Sequence, residues 1–211
     1  MKRISLRLMP FAAVFSLFLA RSARAEVQVG ALDAPPPSME SPSRPPAWGP
    51  THPFAVTVRA PVRLGEGYVF GGVGGQVRLR PFERLRLDLF FDNFMGQRDG
   101  TMRHDHEVGT TIQWALFSSE RFVVYPMFGF CAMWAMLDPH DAPGVSDIRF
   151  GIHGGVGAEV ALGGGFSLAL NVEAVPYFGH TMKAYDRTAF VENGMTVMPT
   201  GQANLGLSYW F

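Results

Sequence analysis

Between residues 84 and 93 the chain alternates, with Phe90 and Asn93 the only exceptions. Leu85, Leu87, Leu89 and Phe91 fall on one side, and Arg84, Arg86, Asp88 and Asp92 on the other. A period of two is the mark of an extended strand, whose successive side chains point to opposite faces. The same rule organises about eight segments from Phe54 onward. Residues 54–63 place Phe54, Val56, Val58, Ala60 and Val62 on one face and Arg59 on the other. Residues 68–80 set Val69, Val73, Val77 and Leu79 against Gln76, Arg78 and Arg80. Residues 105–117 set Val108, Thr110, Ile112, Trp114 and Leu116 against Glu107, Thr111 and Gln113. Residues 122–134 set Phe122, Val124, Phe128, Phe130 and Trp134 against Tyr125, Met127, Gly129 and Cys131. Residues 147–162 set Ile148, Phe150, Ile152, Val156, Val160 and Leu162 against Arg149, His153 and Glu159. Residues 165–176 set Phe166, Leu168, Leu170 and Val172 against Asn171 and Glu173. Residues 201–211 set Ala203, Leu205, Leu207, Tyr209 and Phe211 against Gln202, Asn204, Gly206 and Ser208, with Trp210 out of keeping.

The connections predict how these strands are joined. Pro81-Phe82-Glu83, Ser118-Ser119-Glu120 and Gly163-Gly164-Gly165 have the composition of tight turns. Residues 94–104, 135–146 and 177–200 read as long loops, and Gly65-Glu66-Gly67 is the one short connection on that side. Short turns at one rim and long loops at the other predict an antiparallel, up-and-down β-barrel. Alternation by itself does not say which face is outside, because a soluble barrel also alternates, with its apolar face inward. Two features favour an apolar exterior. Phe54, Phe122, Phe166, Tyr209 and Phe211 gather at one rim and Phe91, Trp134 and Phe150 at the other, as two interfacial girdles would. The polar face mixes balanced charges with glycines such as Gly72, Gly74, Gly129 and Gly155, which suits a narrow interior better than a solvated surface.

The first 25 residues support export. Lys2, Arg3 and Arg7 precede an apolar run from Leu8 to Ala20, and Ala23-Arg24-Ala25 has the small-x-small form of a cleavage site. Without that segment, thirteen basic residues face eighteen acidic ones, a net charge of −5. No basic excess marks a nucleic-acid surface. Cys131 is the single cysteine, which excludes an internal disulfide. Residues 26–53 hold eight of the sixteen prolines and read as an extended, disordered linker. After the signal no apolar run approaches the roughly 20 residues of a spanning helix, so a membrane location requires a closed barrel.

The stretch 54–211 resembles the small eight-stranded outer-membrane barrels of the OmpA and OmpX type. The closing strand carries part of that resemblance, ending on Phe211 with Tyr209 two residues earlier. The resemblance implies an all-β, eight-stranded antiparallel up-and-down transmembrane β-barrel in a Gram-negative-type outer membrane, preceded by a disordered proline-rich segment. It implies a monomer whose partners are outer-membrane lipid and lipopolysaccharide. It also implies recognition of Tyr209 and Phe211 by the barrel-assembly machinery. Proteins of the full-length OmpA type add a peptidoglycan-binding domain after the barrel, to which nothing here corresponds.

An eight-stranded barrel is just wide enough to be filled by its own side chains. Arg59, Arg78, Arg86, Asp88, Glu107, Arg149, His153, Glu159 and Glu173 are therefore expected to form a lumen polar network, read as a salt-bridged plug. A narrow or gated pore is the alternative. A lipid A-modifying enzyme is a second one, but Ser146, Ser167 and His153 form no convincing outward triad, so no catalytic residue is assigned. Arg103-His104-Asp105-His106-Glu107 has the residue types of a metal site, with His140, Asp141 and His180 on the same side of the barrel. It is read as a solvated loop base, and no metal or cofactor is expected. Loop 177–200, with Met182, Met195, Met198, Tyr185 and Phe190, is the expected place for contact with a partner.

Overall fold

The computed structural model describes residues 53–98, 100–139, 143–185 and 188–211. The expected signal peptide (1–25) and linker (26–53) lie outside these residues, Pro53 excepted. Eight long strands follow the alternating segments: β1 (Phe54–Gly65), β2 (Tyr68–Leu79), β3 (Leu85–Arg98), β4 (Thr101–Trp114), β6 (Phe122–Pro139), β7 (Val145–Gly163), β8 (Phe166–Gly179) and β11 (Thr196–Trp210). The two-residue β5 (Phe117–Ser118) lies against β6. Strands β9 (Met182–Tyr185) and β10 (Thr188–Val191) form a separate hairpin between β8 and β11. Each long strand pairs antiparallel with its neighbours, β4 with β6 and β11 with β1, so the sheet closes on itself and leaves no edge.

Closure fixes which face is which. Val58 is 69% exposed and Val73 67%, on the outside, whereas Arg149 and Glu159 are 0% exposed, on the inside. This is the inverse of a soluble barrel. Removing one such valine or leucine from water is worth about 1.5–3 kcal/mol, and lipid is the phase that does so along the apolar band of the exterior. Trp210, the misfit in the closing strand, obeys the same parity: it is buried in the interior at 1% exposure. Tyr209 packs between Phe166 and Phe211, each 4.9 Å away between ring centroids, and Phe54 lies 5.7 Å from Phe211. These rings form the girdle at the short-turn rim, where Gly163, Gly164 and Gly165 turn the chain with φ of 94°, 60° and 84°.

The far rim differs from expectation. Residues 94–104 are not a long loop; β3 and β4 continue until Arg98 pairs with Thr101. Segments 135–146 and 177–200 likewise shrink, because β6 is 18 residues long, β7 19, β8 14 and β11 15. About 9–11 residues span a bilayer, so these strands project well past it. In β3 and β4 the hydrophobic period hides the extension because the outward face turns polar beyond the lipid, as at Asn93, Gln97, His104 and His106. Hence Phe91, Trp134 and Phe150 do not end their strands; they ring the barrel part-way along. The hairpin β9–β10 does not stand free either, since Met182 and Ala189 pack on the interior cluster of Leu137, Val145 and Met198.

Candidate functional site

The interior is a stack of charged layers with an apolar lid. At the short-turn end, Arg78 grips Asp88 with two donors, Nε to Oδ1 at 2.8 Å and Nη2 to Oδ2 at 3.1 Å. Its Nη1 also reaches Glu159 Oε2 at 2.6 Å, and Arg86 Nη1 donates to the same oxygen at 2.7 Å. Ser167 donates to the other Glu159 oxygen and accepts from Trp210 Nε1 at 3.1 Å. Gln113 donates to Asp88 at 2.5 Å. Charges this deeply buried require such partners, because solvation no longer offsets them.

The middle layer is less complete. Arg59 lies 3.1 Å from Asp92, donates to Gln76 at 3.2 Å and sits 4.5 Å over the Phe90 ring. Yet Arg59 Nε, Gln76 Nε2 and both Asp92 oxygens have no well-directed hydrogen bond. His153 is better held, with Nδ1 2.6 Å from Glu173 and Nε2 3.1 Å from the Thr110 carbonyl oxygen. Asn204 donates to the second Glu173 oxygen at 2.7 Å. Gly129 makes room for this imidazole, since a Cβ there would collide with His153 and with the Thr110 carbonyl.

Above it, Arg63 is 1% exposed. It pairs with Asp105 and with Glu107 at 3.2 Å, and lies 4.1 Å from the Phe94 ring and 4.7 Å from Phe70. Tyr177 donates to Glu107 at 2.7 Å. Arg103 bridges Asp105 (2.9 Å) and Glu66 (3.0 Å), and Arg149 reaches Glu66 at 2.5 Å. Glu66 and Gly67 form the two-residue β1–β2 turn with φ of 51° and 80°, the left-handed pair that a primed hairpin turn needs. Burial alone would raise the Glu66 carboxyl, but the Arg103 and Arg149 guanidiniums outweigh it and hold the group below its ordinary range. Met133, Ala135, Leu137, Val175, Met182 and Met198 complete the apolar lid. Beside the lid, between the β1–β2 turn and the β9–β10 hairpin, is a cleft of about 730 Å³, lined by Tyr68, Arg98, Met182, Lys183 and Phe190 among others.

The nine residues expected in the lumen network point into the interior and are spread over three layers. Arg63, Asp92, Arg103, Asp105, Glu66 and Tyr177 join them. Their parity was legible for Arg63 and Asp105, which continue the alternation of Arg59 and Glu107. Segment 103–107 is part of β4 and not a loop base: Arg103, Asp105 and Glu107 point inward, while His104 and His106 share the outer face. Ser167 is buried beside Glu159, and Ser146 is exposed on the exterior of β7, so the two face different environments.

An apolar exterior around a charged, side-chain-filled interior defines an eight-stranded transmembrane β-barrel. No protein-family model matches the sequence, and no match was found among curated proteins. Solved structures share the fold. Neisserial surface protein A superposes with a TM-score of 0.52 at 12% identity, over 75% of this chain and 96% of that one. A major outer membrane protein from Thermus thermophilus gives 0.52 at 15% identity, over 76% of this chain and all of its own, 100%. At these identities the likeness is one of fold.

Proposed function

We propose that the protein resides in the outer membrane as a non-enzymatic barrel whose polar interior acts as a plug, with a structural role or one of contact at the cell surface. The observation that carries this reading is the succession of buried charged layers from Ser167 and Glu159 to Arg63 and Arg149, covered by the apolar lid. A path for ions would have to break several of these pairs at once. The apolar exterior fits outer-membrane lipid and the lipid portion of lipopolysaccharide. The aromatic end, Tyr209 and Phe211, is the segment offered to the assembly machinery. Extended strands and the β9–β10 hairpin supply the surface beyond the membrane. Planar-bilayer recording of the refolded barrel tests the plug: a membrane that stays silent at all voltages is expected, and reproducible unitary currents would refute it. Mass spectrometry of lipid A from cells with and without the protein tests the non-enzymatic part; altered acyl chains would overturn it.

A gated path is the second reading, favoured by the middle layer. A buried polar group left without a partner costs about 1–3 kcal/mol, and Arg59, Gln76 and Asp92 hold several such atoms side by side. In that case Asp92→Asn would change the conductance, whereas a silent wild type and a silent variant exclude it.

A further inference from the structure

The outer face of the barrel carries a second constellation, just past the aromatic ring. Strand register places Met95 of β3 directly opposite His104 of β4, and His104 directly opposite Met136 of β6. All three side chains point outward. Adjacent strands are about 4.8 Å apart, so two thioethers flank one imidazole within reach of a common centre. Methionine adapts to such a centre because it is unbranched and has three rotatable bonds. Met102 and His106 lie two residues to either side of His104 on the same face of β4. The His106 ring is held by Asn93, 2.5 Å from its Nδ1, and stacks near Phe91 and Trp134 at 6.5 and 6.2 Å.

The chemistry of this set is soft. Thioether sulfur selects copper(I) and similar ions, and imidazole is compatible with them, whereas carboxylates suit harder cations. Folding withdraws the hard donors of segment 103–107: Asp105 and Glu107 face the interior and are committed to Arg63, Arg103 and Tyr177. Among the described residues on the outer face of β3, β4 and β6, Asp138 is the sole carboxylate, one row farther out. The row is accessible, since Met95 is 55% exposed and His104, Met102 and Met136 are half-buried. It lies one residue pair beyond the row containing Trp134, where the exterior changes from apolar to polar.

We propose that Met95, His104 and Met136 form a surface site for a soft monovalent metal ion, copper(I) or silver(I), with Met102 or His106 available as a further ligand. Neither the zinc chemistry suggested by the histidines alone nor the lumen network is involved.

Silver(I) is the probe. The full-length barrel, refolded in detergent in chloride-free buffer, is incubated with silver nitrate, desalted and analysed for bound metal, and its affinity is measured by titration. One retained equivalent that a large excess of zinc(II) does not displace is expected. Since even outer-shell partners of a metal site are worth 10–100-fold in affinity, losing two ligands should weaken binding by about tenfold or more. The variant M95L/M136L should show that loss, and so should H104Q, which serves if the double variant fails to give the heat-modifiable form. C131S and M195L should bind as the wild type does. No retained silver, a smaller loss in both site variants, or loss on C131S instead, which would point to the thiol, each overturns the proposal.

Discussion

Glu159→Gln is the substitution that best tests whether the interior is dry. The glutamine keeps the shape of the side chain and removes its charge. In the native barrel Glu159 is fully buried and its two oxygens serve Arg78, Arg86 and Ser167. Arg78 and Arg86 both lose the carboxylate oxygen to which they donate at 2.6 and 2.7 Å, while Arg78 keeps its two-donor grip on Asp88. Removing one member of a buried pair costs about 3–5 kcal/mol, because the remaining charge stays desolvated. With a urea slope of about 2 kcal/mol/M, the unfolding midpoint should fall by roughly 1.5–2.5 M. Unfolding of the refolded barrel, followed by the loss of its heat-modifiable gel mobility, gives the midpoint. The same protein contains its own control. Lys183 and Glu192 pair at 2.5 Å, but on the surface, with side-chain exposures of 53% and 39%. Glu192→Gln should therefore cost less than about 1 kcal/mol. If Glu159→Gln costs no more than Glu192→Gln, the lumen is hydrated, its charges are individually solvated, and the plug reading fails with it.

Three further outcomes are expected. Val58→Arg, on the lipid face, should destabilise the barrel by about 2–4 kcal/mol in bilayers if the site lies near the midplane; an unchanged midpoint in vesicles would mean that Val58 does not meet lipid. The Glu66 carboxyl is held below its ordinary value of 4.5 in the folded protein by Arg103 and Arg149. Its contribution is thus fully present above that ordinary value and is lost as pH falls through the lower native value. Glu66→Gln should remove that share of the acid sensitivity, and an identical pH profile in thermal denaturation would refute the assignment. Deleting Phe211 removes a ring that packs on Tyr209 and Phe54, and should lower the yield of assembled barrel in cells; a normal yield of heat-modifiable protein would refute the proposed use of this residue in assembly.

How far the sequence could be read depended on where the lipid ends. Within the membrane, the surroundings impose an apolar residue at every second position, so Leu85 to Phe91 or Phe166 to Val172 reveal strand, phase and orientation together. Past Phe91 and Trp134 water replaces lipid, the outward positions become Asn93, His104 and His106, and the periodic signal fades although the hydrogen-bonded ladder continues. For that reason the extensions within 94–104 and 135–146 passed for loops; in 177–200 the outward face keeps Phe178 and Val197, and Pro176 and Pro199 interrupt the strand signature instead. The same loss of contrast hid Arg103, which fell in the segment read as loop, whereas Arg63 and Asp105 sat at the ends of predicted strands with the polar parity already legible.

The alternation therefore determined by itself that this chain forms strands with apolar residues on one face and charges on the other, because pleating turns a period of two into two surfaces. Which charges meet was decided only in three dimensions. Arg63 lies 42 residues from Asp105, and Arg78 lies 81 from Glu159. Such pairs depend on the register between strands and on the closure of β11 onto β1. The row of Met95, His104 and Met136 has the same origin. Three residues on three strands become neighbours because backbone hydrogen bonds fix the register, which no local pattern encodes.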